Sequence, residues 1–476
     1  MVHERTHRAN TNPHAPLSDQ DLQRVISAIF QLMRETGVKF DPVPKVMDIL
    51  SDARCDISSN GIVKFPTDLV RGCIDSAEKS VKVWDRNCTD YIEFSLAHSV
   101  FMTDVGGVPN VMDIDTGERR PTTKEDLAMI ARVADALSDI DGLDVWCRIS
   151  EIDRFALIAA NSTKPQHVAF EDALALQAAI EMAGAIRGGM AQLRGKPFFV
   201  VSVSGMPLYY SKNELDQLLI LAENDIPMAV GTMGIGGASA PMTIAGNLVN
   251  CFASDLTGLV LSQLFRKGSF CMVGSTIVFM DPRSGNIGAM NECTLAEMAK
   301  HQIGQHLGLP LHYSNAGVTL SKAFDQRATL DIAHTMTTGI FSQAACCVYT
   351  GGIDGLQAYS LHALLLCNEL VGTARRMWKG IRVDDETLAL DLTNKLGPRG
   401  DYLGEMHTAI HCRKELSPIK YLVSQSFETW QAEGSKDLKQ VIDEDLRKIL
   451  ATHKPEPFPP SVQEQLDAIV EKYRAV

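Results

Sequence analysis

Aromatic and acidic residues recur beside glycines in short stretches along this chain. They include TDVGG with Asp104, AFED with Glu171, SGMPLYY with Tyr209 and Tyr210, and FMDPRSG with Asp281. Two more are HYSNAG, with Tyr313 and Asn315, and YTGGIDG, with Tyr349, Gly351 and Gly352. Tyrosine rings around a low-dielectric space bind quaternary ammonium groups through their electron-rich faces, and a carboxylate such as Asp104 or Glu171 balances the charge. A further loop, MGIGGASAP, carries Gly234, Gly236 and Gly237 ahead of a helix that begins near Pro241. Free N–H groups at a helix start suit an anionic ligand group. Gly351 and Gly352, ahead of a helix bearing His362, form a second loop of this kind. A loop packed too closely for side chains would demand the same glycines.

Competing motifs fail on their details. Ser239 stands where the third glycine of a dinucleotide fingerprint belongs, and no Lys follows to complete a P-loop. His407 and His411 lie one helical turn apart in HTAIHC, a zinc-compatible spacing, but no Glu follows His407 and no third ligand is evident. No metal is expected there. Cys346 and Cys347 share a predicted strand and point to opposite faces as small core residues. No nucleophile elbow or kinase set occurs.

These stretches fall at the ends of β-prone runs that alternate with helical sequence. Strands are predicted at Ser99–Val105, Leu143–Ile149, Gln166–Phe170, Phe198–Ser204, Pro227–Thr232, Phe270–Thr276, Pro310–Asn315 and Ala344–Tyr349. Helices are predicted at Thr123–Leu137, Arg154–Asn161, Ala173–Arg187, Lys212–Asn224, Met242–Phe265, Thr294–Leu307, Phe324–Ser342 and Leu361–Met377. Eight such units give an α/β fold, a (β/α)8 TIM barrel, whose strand C-termini gather the motifs on one face. The chain divides into a disordered tail over 1–17, a small α/β appendage over 18–97, the barrel over 98–378 and a helical C-terminal extension over 379–476. In the appendage, Ser18 caps a helix with Leu22, Val25, Ile26, Ile29, Phe30 and Met33 on one face, and Asn60-Gly61 marks a hairpin turn.

A net charge of −13 argues against nucleic acid and against an anionic membrane surface. The start of the chain lacks an apolar leader core, and eleven scattered cysteines fit a reducing cytoplasm. The apolar stretch Leu248–Phe265 contains Asp255 and reads as a buried core helix.

Several long runs resemble the trimethylamine methyltransferase superfamily of corrinoid-dependent methyltransferases. They are MGIGGASAPMTIAGNLVNCFASDLTGLVLSQLFRKGS, FMDPRSGNIGAMNE, LPLHYSNAGVTLSKAFDQRATLD, GPRGDYLGEMHTAIHCRKEL and the N-terminal GVKFDPVPKVMDILSDARCDI. The resemblance spans Leu17 to Ile449. It departs from the archaeal amine enzymes in having only standard residues where those carry pyrrolysine. It is nearest to the non-pyrrolysine members that demethylate quaternary amines, glycine betaine above all.

The resemblance implies a TIM barrel that moves a methyl group to Co(I) of a separate corrinoid protein, with no cofactor bound permanently. A quaternary nitrogen already carries its charge, so no general acid is required. The protein then orients the methyl group and excludes water, and no residue is singled out as catalytic. On this reading the trimethylammonium sits among Tyr209, Tyr210, Tyr313 and Tyr349, with Asp104 or Glu171 nearby. The substrate carboxylate meets N–H groups at Gly236–Gly237 or Gly351–Gly352, helped by Asn315 or His362. Proline betaine, carnitine and choline are the alternative substrates, and a non-catalytic betaine binder is the alternative role. A barrel lyase or oxidoreductase acting on a phosphorylated substrate is the rival from another class. The pairing habit of large barrels favours a homodimer.

Overall fold

The computed structural model describes residues 15–147, 152–288, 290–416, 420–421 and 425–475. The strand β1 (Val100–Val105) leads into β2 (Gly142–Cys147), β3 (Gln166–Phe170), β4 (Phe199–Gly205) and β5 (Met228–Gly236), all parallel neighbours in that order. Next come β6 (Cys271–Val273), paired with β5, then β7 (His312–Tyr313) and β8 (Cys346–Thr350). β8 pairs back onto β1, and a parallel bridge from Val273 to Leu311 joins β6 to β7. The ring is therefore closed. After a break at Gly274-Ser275 the chain of β6 continues as Thr276–Met280, still parallel to the end of β5.

Each strand feeds a helix that returns along the outside. These are α1 (Lys124–Ala136), α2 (Asp153–Asn161), α3 (Ala173–Arg187), α4 (Lys212–Asn224), α5 (Ile244–Phe265), α6 (Met290–Leu307), α7 (Gln326–Ser342) and α8 (Leu361–Trp378). Their starts are set by local chemistry. Thr123 and Asp126 form a reciprocal capping box, and Asp172, Asp325 and Ser360 accept from backbone N–H groups three residues on. The expected strand end at Ile149 and the tail over 1–14 lie outside the described residues. Leu17 exchanges two hydrogen bonds with Gln302, 3.0 and 2.7 Å, which ties the chain start to α6.

The segments before the barrel cover two of its sides. Helix Asp19–Glu35, capped by Ser18 and presenting the six apolar residues expected, lies along α5 together with helix Thr67–Ser76. That is why α5 is apolar on every side. It is the one described helix long and apolar enough to cross a bilayer, and it is mostly buried within the protein. The hairpin Val81–Trp84/Tyr91–Phe94 closes the strand N-terminal end, where Val83 and Phe94 pack with Val100, Met102, Val200, Met272 and Cys346. Cys346 thus faces inward and Cys347 outward, as strand alternation requires.

Packing between α5 and the barrel wall is close. A methyl group added at Gly258 would run into the Tyr210 hydroxyl and the Val230 side chain. Gly258→Ala is therefore expected to cost about 1–3 kcal/mol through overpacking, read as a lower midpoint in urea unfolding.

Candidate active site

Alternation along the strands sends one set of side chains into the lumen. Its lower half is apolar and sealed by the hairpin. Its upper half, towards the strand C-termini, is polar. In register across β1, β2 and β3 lie Asp104, Asp144 and His167, all buried. Asp144 binds His167 through Oδ1, 2.7 Å from Nδ1, and accepts from Trp146 Nε1 through Oδ2 at 3.4 Å. His167 Nε2 and both ring nitrogens of His312 are buried without a hydrogen-bond partner among the described residues, and the two rings stand edge to face, 6.3 Å apart. Burial, with Lys300 second, holds His312 well below the usual histidine range, so its imidazole is neutral.

Asp104 is the other notable acid. Burial chiefly, and the neighbouring Asp144 next, push its carboxyl up to about 8. A hydrogen bond from Gly107 N–H, 2.8 Å, opposes this. Gly107 has to be glycine here, because a Cβ would meet both Asp104 oxygens and the Trp146 ring. Arg154 ties the two loops together, donating to the carbonyls of Gly106 (2.8 Å) and Trp146 (3.1 Å).

Tyr349 reaches the lumen by a different device. The register between β8 and β1 slips after Cys347, so that Thr350 rather than Tyr349 faces Thr103. Tyr349 is the extra residue, with φ of 72°. Such a bulge re-aims a side chain at some cost in backbone strain. The ring turns towards Asp104, Asp144 and Thr276, and burial followed by those two carboxylates holds its hydroxyl well above the usual tyrosine range.

A second buried polar cluster stands behind the wall at β6 and β7. Lys300 on α6 pairs with Glu297 at 2.7 Å, both side chains 0% exposed. Lys300 also donates to the Ser275 carbonyl at 2.6 Å, and Glu297 accepts from Ser314 N–H at 3.2 Å. The Ser275 hydroxyl donates to Asp255 at 2.6 Å. This cluster fixes the break in β6 and therefore sets Thr276 and Ser314, which bond each other at 3.0 Å at the lumen edge.

The structure redistributes the residues expected from sequence. Asp104 and Tyr349 face the lumen. Tyr210 does not: it stacks on Phe40 and donates to the Ser254 carbonyl at 3.0 Å. Tyr209 donates to Asp41 at 2.9 Å and joins the strand at Val38–Phe40. Tyr313 follows the inward His312 and so points outward, beside His301 and Gly339. None of these three can surround a ligand in the lumen. Glu171 is exposed at the rim, where its carbonyl accepts from Asn213. Asn315 is buried, with no partner for Nδ2 among the described residues, and its carbonyl accepts from Val318 N–H.

The glycine loops are structural. Gly237 N–H donates to the Ala240 carbonyl, and Gly236 lies in the ladder opposite Phe279. A Cβ at Gly234 would meet Asn247 and Cys251 of α5, and one at Gly236 would meet the Phe279 ring. Close packing, not an anion, accounts for this run. A Cβ at Gly351 would strike the Tyr359 ring, and the Gly352 carbonyl accepts from Thr319 N–H. His362 pairs with Asp443 at 2.5 Å and stacks on Phe324, so it is committed to the C-terminal extension. His407 and His411 lie 4.2 Å apart, and His411 meets the Glu386 carboxylate at 3.2 Å. Among the described residues no three His, Cys, Asp or Glu side chains are grouped to hold a metal ion.

A closed (β/α)8 barrel with buried acidic and aromatic side chains gathered towards the strand C-termini is an enzyme architecture, and the chain belongs to the Trimethylamine methyltransferase (MTTB) family, matched over residues 2–476. It is a methyltransferase. Among its relatives it is 29% identical to the trimethylamine methyltransferase MttB of Desulfitobacterium hafniense (strain DSM 10664 / DCB-2), over 96% of this chain and 94% of that one. It is 23% identical to the glycine betaine methyltransferase of Desulfitobacterium hafniense (strain Y51), over 95% of this chain and 96% of that one. The Methanosarcina barkeri monomethylamine methyltransferase MtmB shares the fold, with a TM-score of 0.55 and 12% identity over 97% of this chain and 88% of that one.

Proposed function

We propose that this methyltransferase takes a methyl group from a quaternary amine, glycine betaine by preference, and passes it to Co(I) of a corrinoid carried by a separate protein. The observation that carries the reading is the set of buried carboxylates, Asp104 and Asp144, facing the same lumen as the rings of Trp146 and Tyr349. Carboxylates and aromatic faces together favour a permanent cation. For a betaine, the ring N–H of the neutral His312 offers a donor to the carboxylate. The corrinoid, as acceptor, supplies an electron-pair nucleophile. Met206 and Met233, 61% and 43% exposed beyond β4 and on β5, give the mouth an apolar rim that suits a macrocycle.

The chain's own work is then to bind, orient and exclude water. The C–N bond breaks towards nitrogen, which leaves as a neutral tertiary amine with the electron pair. The new bond forms from the acceptor's pair, and no proton moves. A second reading, trimethylamine as donor, is favoured by the protonated carboxyl of Asp104. It can give its proton to a tertiary amine and make the cation in place. The 29% identical relative bears that substrate's name.

One assay separates the readings. The protein is mixed with reduced corrinoid and each amine in turn, and the visible spectrum is followed for the methylated form. Glycine betaine is expected to give the change with dimethylglycine as co-product. Dimethylamine from trimethylamine alone would replace the first reading by the second. Binding without methyl transfer from any amine would overturn both.

A further inference from the structure

Three buried hydroxyls stitch the end of β8 to β1. Those of Thr103, Thr350 and Tyr359 meet where the two strands come back into register after the slip at Tyr349. The Thr103 hydroxyl donates to the Thr350 carbonyl at 2.7 Å, and the Thr350 hydroxyl donates to the Met102 carbonyl at 3.0 Å. The Tyr359 hydroxyl lies 2.5 Å from Thr103 Oγ1. A threonine hydroxyl has one hydrogen, and that of Thr103 is already committed to Thr350, so Tyr359 is the donor. Burial holds the Tyr359 hydroxyl well above the usual tyrosine range, so it keeps that proton. Its ring is fixed in turn. Tyr359 pairs with Gly352 on one side and Val111 on the other, and the ring lies against Gly351, where a Cβ would strike it.

We infer that Tyr359 and Thr103 are positioning residues for methyl transfer, holding the Tyr349 ring in its place beside Asp104; that role rests on the lumen being the amine site. Neither residue has to touch the substrate. Thr103 is the residue before Asp104 and Thr350 the residue after Tyr349, so the clamp joins the immediate neighbours of the acid and of the ring. Tyr349 has a φ of 72° and Gly351 one of 92°, a left-handed residue on each side of Thr350. Such backbone persists only where its surroundings over-determine it. The strand ladder does not do so here, because it is interrupted between Cys347 and Thr350. The hydroxyl clamp supplies the missing restraint. Asp104 is secured separately, by the Gly107 N–H and by its place opposite Asp144 in the β1–β2 ladder. Loosening the clamp therefore frees the ring more than the acid. The cation keeps its charge partner, and the wall that directs its methyl group moves.

The test compares Thr103→Val, Tyr359→Phe and Thr103→Ser with the unaltered full-length protein. Methyl transfer to reduced corrinoid is measured from glycine betaine or trimethylamine, whichever the unaltered protein turns over, with kcat taken per amine-binding site counted by calorimetry. Thr103→Val keeps the side-chain shape and loses both hydrogen bonds through Oγ1. It is expected to lower kcat about tenfold while KM rises no more than about twofold, the mark of a misdirected group rather than of lost binding. Tyr359→Phe removes one of the two bonds and should lower kcat about threefold. Thr103→Ser keeps the hydroxyl and should stay within about twofold of the unaltered protein. A crystal structure of Thr103→Val, or of Tyr359→Phe where the first fails to fold, is expected to show the Tyr349 ring displaced from Asp104 and Asp144. Unchanged kcat in the variants that lose a hydroxyl, or equal losses in Thr103→Ser and Thr103→Val, would overturn the inference. So would a Tyr349 ring unmoved in the variant crystals, a readout that needs no amine. Failure of the unaltered protein to transfer a methyl group from any amine would instead count against the proposed function, and the place of the ring in the crystals would still decide for or against the clamp.

Discussion

Lys300→Met is expected to lower the stability of the protein by about 3–5 kcal/mol, the usual cost of removing one partner from a buried ion pair. The pair is fully enclosed, and Lys300 is hydrogen-bonded to both Glu297 and the Ser275 carbonyl. Without it Glu297 keeps the Ser314 N–H and loses its cation, in a place where burial already raises its pKa and Lys300 is the chief opposing influence. A carboxyl whose folded pKa lies above its ordinary 4.5 costs nothing when both states are protonated. Its penalty grows as pH rises from the unfolded value to the folded one. Losing Lys300 raises the folded value further, so the variant's deficit should be small in acid and widen towards neutral pH. Urea unfolding at several pH values reads this directly. Lys300→Met with Glu297→Gln should recover much of the loss, because both charges then leave together. A deficit that is flat across pH, or no recovery in the pair, would show that packing rather than charge sets the cost. Activity should fall as well, since the same lysine pins the break in β6 ahead of Thr276.

The sequence carried the scaffold well and the interior poorly, for reasons that individual residues make plain. Strand and helix limits followed from apolar runs and from caps such as Thr123, Asp172 and Ser360, which are local signals. The bridge that closes the ring at Val273 and Leu311 is not local, but eight alternating units imply it. The lumen acids were half visible. Asp104 stands at a strand end beside two glycines, whereas Asp144 sits inside the apolar run GLDVWC, where a carboxylate is out of place. Following alternation from Asp144 would have added Trp146, and the same rule applied to HVAF and HYSN would have found His167 and His312. It would also have turned Tyr313 outward, one residue from an inward histidine. Tyr209 and Tyr210 go astray because the chain beyond β4 leaves the barrel to pair with Val38–Phe40, a contact between distant segments. Tyr349 faces inward only through the slip in register after Cys347, which no residue type announces. The glycines of GIGG answer to Asn247, Cys251 and Phe279, neighbours that only the packed structure brings together.

Affinity for a quaternary amine should rise with pH and level off above about 8, the value to which burial and Asp144 push Asp104 in the free protein. The sign follows from linkage. A permanent cation favours the ionised carboxylate, so its arrival lowers the Asp104 pKa and releases a proton where the free protein holds one. Below that pKa the ligand must expel the proton and binds more weakly, by up to about tenfold per pH unit. Above it the carboxylate is already charged and nothing remains to gain. Calorimetry in buffers of different ionisation enthalpy measures both the trend and the proton count. Asp104→Asn should bind at least an order of magnitude more weakly at pH 8, an effect of about 1.4 kcal/mol or more, and should lose the pH dependence. His312 is held neutral and the amine cannot titrate, so neither adds to the slope. A neutral analogue of the same shape, with carbon in place of the charged nitrogen, should bind weakly at every pH and release no proton. If the cation and its neutral analogue bound alike, the lumen would be selecting for shape alone, and the pairing of Asp104 and Asp144 in register would have no part in choosing the substrate.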